Sequence, residues 1–218
     1  MDIAKGRIAR SIATIFAVAL AVLIGTTAQP ASAQSASAVI DEPAPEFTLS
    51  GTDGETYSLS QFEGRYVVLE WLNFGCPYVQ KHYNSGNIPG LQERWTEEGV
   101  VWLSIVSSAE GKQGYHPPEK MNTINAEEGG NQTAILMDTD GEVGRTYGAR
   151  TTPHMYIVNP EGELVYKGGI DSKPTTDPAD IETATNYVQQ ALEAVTNGES
   201  VPTQSAPPYG CSVKYAAR

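Results

Sequence analysis

Two rhythms of hydrophobic and polar residues run along this chain. Residues 46–62, EFTLSGTDGETYSLSQF, hold two short alternating apolar runs around GTDG, which predicts a β-hairpin. GRYVVLEWLNF, 64–74, is β-branched and aromatic with almost no polarity, the pattern of a buried central strand. VVWLSIVSS at 100–108 and TAILMD at 133–138 predict two more strands. HMYIVN and ELVYKGGID flank PEG and predict a second hairpin.

Helical periods fall between these strands. In PYVQKHYNSGNIPGLQERWTEEG, 77–99, NSGN is turn-like, and Leu91, Trp95 and the closing Gly99 give the second half helical character. PEKMNTINAEEGG predicts a short helix with Pro at its start and Gly at its end. TDGEVGRTYGA reads as a turn and a short helix, and AEGKQGYHPPEK as a Gly- and Pro-rich loop. The clearest helix is 178–198, with Ile181, Ala184, Tyr187, Val188, Ala191, Leu192 and Val195 on one stripe. Strands alternating with helices predict an α/β domain whose crossover strands are parallel.

The ends read differently. Lys5, Arg7 and Arg10 precede an uncharged apolar run and an A-x-A site at Ala31 and Ala33, the composition of a secretory signal peptide over 1–33. A retained membrane anchor is the alternative reading. Residues 34–45 read as a flexible leader, 46–198 as the domain, and 199–218 as a Pro-rich tail carrying Cys211. The charge is −12, and −14 without the first 33 residues, so the chain has no surplus of cations to neutralise nucleic-acid phosphate. No second long apolar stretch predicts a membrane span, so no membrane contact is expected after signal cleavage. Export makes a persistent disulfide possible between the two cysteines.

Cys76 sits where a buried strand gives way to a helix start. Free N–H groups there favour thiolate over thiol, and Pro77 suits the first helical turn. An inert buried cysteine is the alternative. Glu70 is an acid within VVLEWL; desolvation there raises a carboxyl pKa, and the group could take a proton from a thiol directly or through water. Satisfaction by local hydrogen bonds is the competing reading. Thr152-Pro153 precedes a strand, and X-Pro is the bond type with an appreciable cis population. His82, His116 and His154 lack metal-ligand spacing, with His154 the best placed to line a site. Nothing signals a metal or cofactor.

Together these features resemble the thioredoxin-like superfamily, in its redoxin or AhpC/TSA (peroxiredoxin-like) branch. APEFTLSGTDGETYSLSQFEGRYVVLEWLNFGCP and MDTDGEVGRTYGARTTPHMYIVNPEGELVYKGGID carry the likeness, which spans about 42–197. It implies a thioredoxin-like fold, a central mixed sheet flanked by helices, with an N-terminal β-hairpin extension. It also implies that Cys76 is the attacking thiol, Glu70 the buried acid and Pro153 the cis-proline shaping the site edge. The chain departs from the pattern at Val79, where a C-x-x-C needs its second cysteine. It departs again at Leu69 and Asn73, which stand where peroxiredoxins have Pro and Thr or Ser. The peroxiredoxin arginine position falls on Pro153, with Arg150 near but out of register.

Cys211 is read three ways: as the resolving thiol for Cys76, as half of a permanent bridge, or as a reduced part of a docked tail. The expected function is an exported thiol–disulfide oxidoreductase, periplasmic or extracellular if bacterial. Cys76, Glu70 and Cys211 would be catalytic, and Thr152, Pro153 and Pro77 would contact substrate. The expected partners are protein or small-molecule thiols, disulfides or peroxide, and an external thiol reductant. The alternatives are a peroxiredoxin-like antioxidant peroxidase and a non-catalytic thioredoxin-fold binding module with a structural disulfide.

Overall fold

The computed structural model describes residues 37–217, so the expected signal peptide lies outside it. A seven-stranded mixed sheet runs through the domain. Its strands are β1 (Thr48–Gly51), β2 (Thr56–Ser58), β3 (Val67–Trp71), β4 (Val101–Val106), β5 (Ala134–Met137), β7 (His154–Val158) and β8 (Leu164–Gly168). Their order is β2-β1-β5-β4-β3-β7-β8. β3, β4 and β5 are parallel neighbours; β7 and β8 add antiparallel strands on one side, and the β1–β2 hairpin does so on the other. All residues of β3, β4 and β7 are buried, as a strand covered on both faces requires.

Helices α1 (Pro77–Asn84), α2 (Asn87–Glu97), α3 (Pro118–Glu127), α4 (Glu142–Tyr147) and α5 (Tyr187–Thr196) complete the layers. Side chains alternate across the sheet and build two cores. One gathers Val68, Leu72, Cys76, Trp95, Met155 and Ile157; the other gathers Leu69, Trp71, Leu103, Tyr147, Tyr156 and Val158. Cys76 and the β7 residues Tyr156 and Val158 therefore belong to opposite faces.

Two segments differ from the sequence expectation. The long helix expected over 178–198 is divided. Pro178–Thr183 is a 3-10 turn, Ala184 is extended, and α5 starts only after Asn186, whose side chain accepts the Gln189 N–H. A capping residue outcompetes a weak apolar stripe, so Ile181 and Ala184 lie off the α-helix. NSGN is the turn that the sequence predicts: Gly86 adopts a left-handed conformation between α1 and α2. Part of the presumed flexible leader is tied down. Asp41 and Ala44 donate to the carbonyls of Leu164 and Gly162, and Leu164 N–H donates back to Glu42. Those bonds satisfy the edge beside β8 that would otherwise be unpaired.

The tail runs beside β6 (Thr151–Thr152) and the Lys167–Gly168 end of β8. β6 pairs antiparallel with β9 (Cys211–Ser212), with Thr152 opposite Cys211. Backbone bonds tie the tail on both sides of this pairing: Lys167 N–H to Gln204, Val213 N–H to Arg150, and Ala109 N–H to Lys214. Tyr215 donates to the Ala149 carbonyl and lies over Gly144, where a Cβ would come 2.4 Å from its hydroxyl.

Candidate active site

Cys76 is the N-cap of α1, and Pro77 occupies the first turn. The buried strand β3 carries the chain to this point. Asn73 then folds the turn, its side-chain oxygen accepting the Gly75 N–H and its carbonyl the Cys76 N–H. The Gly/Pro loop closes over this turn through Gln113, whose amide donates to the Gly75 carbonyl at 2.8 Å. The Thr152-Pro153 bond is cis. The Thr152 carbonyl faces the sulfur, and the Cys76 thiol donates to it at 3.1 Å. Because Cys211 pairs with Thr152, the second cysteine sits beside the first. Both are free thiols.

Burial pushes the Cys76 thiol pKa up. The Cys211 thiol, the Thr152 hydroxyl and the N–H groups of Val79 and Cys211 favour the thiolate and outweigh it, leaving the pKa below the ordinary value. The Thr152 hydroxyl completes no hydrogen bond while Cys76 is a thiol, although it is buried. A buried donor left open in this way suits a thiolate acceptor. Cys211 moves oppositely, pushed up to about 11 by burial and then by its bond to Cys76 and that group's charge. Of the two sulfurs, Cys76 is the one whose thiolate is favoured. Cys76 is 0% exposed, whereas Cys211 is half-buried.

Glu70 is placed elsewhere. Its carboxylate accepts hydrogen bonds from Trp102 Nε1 (2.8 Å), Ser104 Oγ (3.0 Å), Gln92 Nε2 (3.1 Å) and the Tyr83 hydroxyl (3.1 Å). Burial raises its pKa against these four bonds. Cys76 is not among its partners, so of the two routes expected from sequence, direct or through water, no direct hydrogen bond is formed. The carboxylate instead joins β3, β4, α1 and α2 in one buried network. His154 also misses the sulfur. It bonds the Tyr156 hydroxyl and the Arg150 N–H, on the opposite sheet face from Cys76.

The AhpC/TSA family model matches residues 40–167. The chain belongs to the AhpC/TSA family. A thiol-disulfide oxidoreductase, ResA of Bacillus subtilis, is 26% identical over 122 residues, 56% of this chain and 63% of that protein. An uncharacterized conserved protein from Geobacillus kaustophilus superposes with a TM-score of 0.71 at 26% identity, covering 83% of this chain and 94% of that one. A hypothetical protein from Sinorhizobium meliloti gives 0.68 at 22%, covering 83% and 96%. The fold is thioredoxin-like.

In this AhpC/TSA chain the matched segment contains Glu70, Cys76 and Thr152-Pro153, but ends before Cys211. A polar cluster that joins α1 and α2 to residues beyond the match holds the tail. Tyr209, two residues before Cys211, donates to Asp171 at 2.5 Å. The Asn87 amide faces His82 Nδ1 at 2.8 Å, which puts the imidazole proton on Nε2, donating to Tyr209 at 3.1 Å. Lys81 pairs with Asp171 at 3.5 Å and donates to the Lys173 carbonyl at 2.9 Å. Both side chains of this ion pair are buried, so each satisfies a charge that would otherwise be stranded. Lys81, Asp171 and Tyr209 lie far apart in sequence, and no local pattern joins them.

No helix among the described residues is long and apolar enough to cross a membrane. Among the same residues, no group of three His, Cys, Asp or Glu is placed to hold a metal.

Proposed function

We propose that this protein is an exported thiol–disulfide oxidoreductase whose redox couple is Cys76 and Cys211. The observation that carries the reading is the pairing of Cys211 with Thr152, the residue whose carbonyl accepts the Cys76 thiol. A tail cysteine thereby supplies the second sulfur that position 79 lacks. The basic and apolar composition of residues 1–33 supports export, and an oxidising compartment lets such a bridge persist.

Exposure orders the steps. Cys76 is fully covered and Cys211 only half-buried, so an external thiolate attacks the Cys211 sulfur of the oxidised pair. A bond forms between the external sulfur and Cys211; the Cys76–Cys211 bond breaks, and Cys76 leaves as the better-stabilised thiolate. A second external thiolate attacks the first external sulfur. It releases an external disulfide and the Cys211 thiolate, which takes a proton from water. Two electrons pass from two external thiols to the pair. In the reverse direction the substrate is held on Cys211, and Cys76 is the attacking thiol that resolves it. Thr152 and Pro153 would present the edge that positions the mixed disulfide, and Pro77 the start of α1.

Peroxide reduction is the second reading, favoured by family membership and the lowered Cys76 pKa. A fully covered sulfur, with no arginine among the groups acting on it, counts against it.

Mass-spectrometric thiol mapping in glutathione buffers of varied ratio tests the first reading. One Cys76–Cys211 bridge should appear in oxidising buffer and open in reducing buffer. Two thiols that stay free throughout, beside rapid peroxide consumption, would replace it with the second.

A further inference from the structure

Arg145, Arg150 and Lys167 gather around a cavity of about 380 Å³ on the sheet face opposite Cys76. It lies between the end of α4, β7, the first described residues and tail residues 205–208. Among the described residues, no acidic side chain lines it. In a chain with 26 acidic and 14 basic residues, three cations around one hollow with no carboxylate is an unbalanced arrangement. Their polar partners are neutral. Arg145 donates to the carbonyls of Asp140 and Ala216, and Lys167 to the Ala38 carbonyl. The ion pairs among the described residues involve Lys81, His82 and Arg94 instead. The field reaches inward: His154, in the cavity wall, is pushed down to about 3 by burial and then by Arg150 and Lys167.

We propose that this cavity is a binding site for a small organic dicarboxylate. Convergent positive charge in a partly desolvated hollow attracts an anion, and a guanidinium fork matches a carboxylate in two parallel hydrogen bonds. Tyr147 and Tyr156 give the wall apolar surface, which suits a carbon skeleton better than a bare inorganic ion. The volume falls in the range of small-molecule sites, roughly 300–1,000 Å³. The site is separate from the two thiols and does not depend on their redox role.

Calorimetric titration of the protein with succinate at low ionic strength tests this, with uncharged succinamide as control. The expected result is saturable one-to-one binding of succinate, none of succinamide, and affinity reduced tenfold or more by Arg150→Gln and by Lys167→Met. Cys76→Ser should keep the affinity, which separates this site from the redox pair. Arg150 is exposed and its side chain has no hydrogen bond among the described residues, so its substitution tests the site even if Lys167→Met folds poorly. Absence of saturable binding, equal binding of succinamide, or an affinity unchanged by Arg150→Gln overturns the proposal.

Discussion

Gly210 approaches Thr152 so closely that a Cβ on it would lie 2.1 Å from the Thr152 carbonyl oxygen. Its φ of +130° is also one that side chains disfavour. That carbonyl is the acceptor of the Cys76 thiol. Gly210→Ala should therefore push the tail off the β6 edge and separate the two sulfurs, with a destabilisation of about 1–3 kcal/mol. Rates of Cys76–Cys211 bridge formation should fall, and iodoacetamide should reach Cys76 faster. Unchanged alkylation would show that the tail is not the cover.

Tyr209→Phe removes one hydroxyl and leaves Asp171 and His82 each short of a partner. A buried group left unpaired costs about 1–3 kcal/mol. Urea denaturation should show a loss of that size. Cys211 should become more reactive as well, because its anchor is two residues away. A variant as stable as the parent would mean that the ion pair with Lys81 suffices.

Thr152→Val keeps the shape and deletes the hydroxyl that favours the Cys76 thiolate. Its Cys76 pKa should rise, read by thiolate absorbance or the pH dependence of alkylation. Stability should change little, since no completed hydrogen bond is lost. An identical titration curve would assign the thiolate preference to the Val79 and Cys211 N–H groups alone.

The buried histidine and glutamate give opposite pH dependences. His82 is lowered from 6.5 to about 4, by burial first. Between those values the unfolded chain binds more protons, so stability rises with pH there, by up to about 1.4 kcal/mol per unit from this group. His82→Asn should remove that slope in denaturation series between pH 4 and 7. Equal slopes in parent and variant would refute the burial of a neutral imidazole.

Glu70 is raised, so the native state keeps its proton to higher pH than the unfolded chain does. Its contribution is lost as pH rises from the ordinary carboxyl range through the raised value. Glu70→Gln should flatten that loss and cost about 1–3 kcal/mol at low pH, because its amide meets donors with donors. It should leave the Cys76 pKa in place. A shifted Cys76 titration would restore Glu70 to the proton path.

The strands, the parallel core and the α1 start were legible because each rests on local chemistry: β-branched runs, a proline in the first turn, a glycine at a stop. Pro153 was legible for the same reason. The role of Cys211 was not, since its three readings differ only in what the tail touches. Lys81, Asp171 and Tyr209 are remote in sequence, and only the folded chain joins them. The partners of Glu70 were not legible either: it lies six residues before Cys76 in sequence, whereas its side chain bonds Trp102 and Ser104. The 178–198 stripe was overextended because Asn186 looked like one polar position among many, yet it caps the helix.

The pairing of Thr152 with Cys211 ties two quantities that are usually measured apart. A bridge across so long a stretch of chain would stabilise the fold by about 5 kcal/mol in the chain-entropy model. By a closed thermodynamic cycle, folding then favours the bridge over the open thiols by the same amount, roughly 100 mV of reduction potential. Loosening the tail would therefore make the couple more oxidising without any change at either sulfur. Tail mobility would act as a dial on redox poise, set by groups as remote from the chemistry as Lys81 and Asp171.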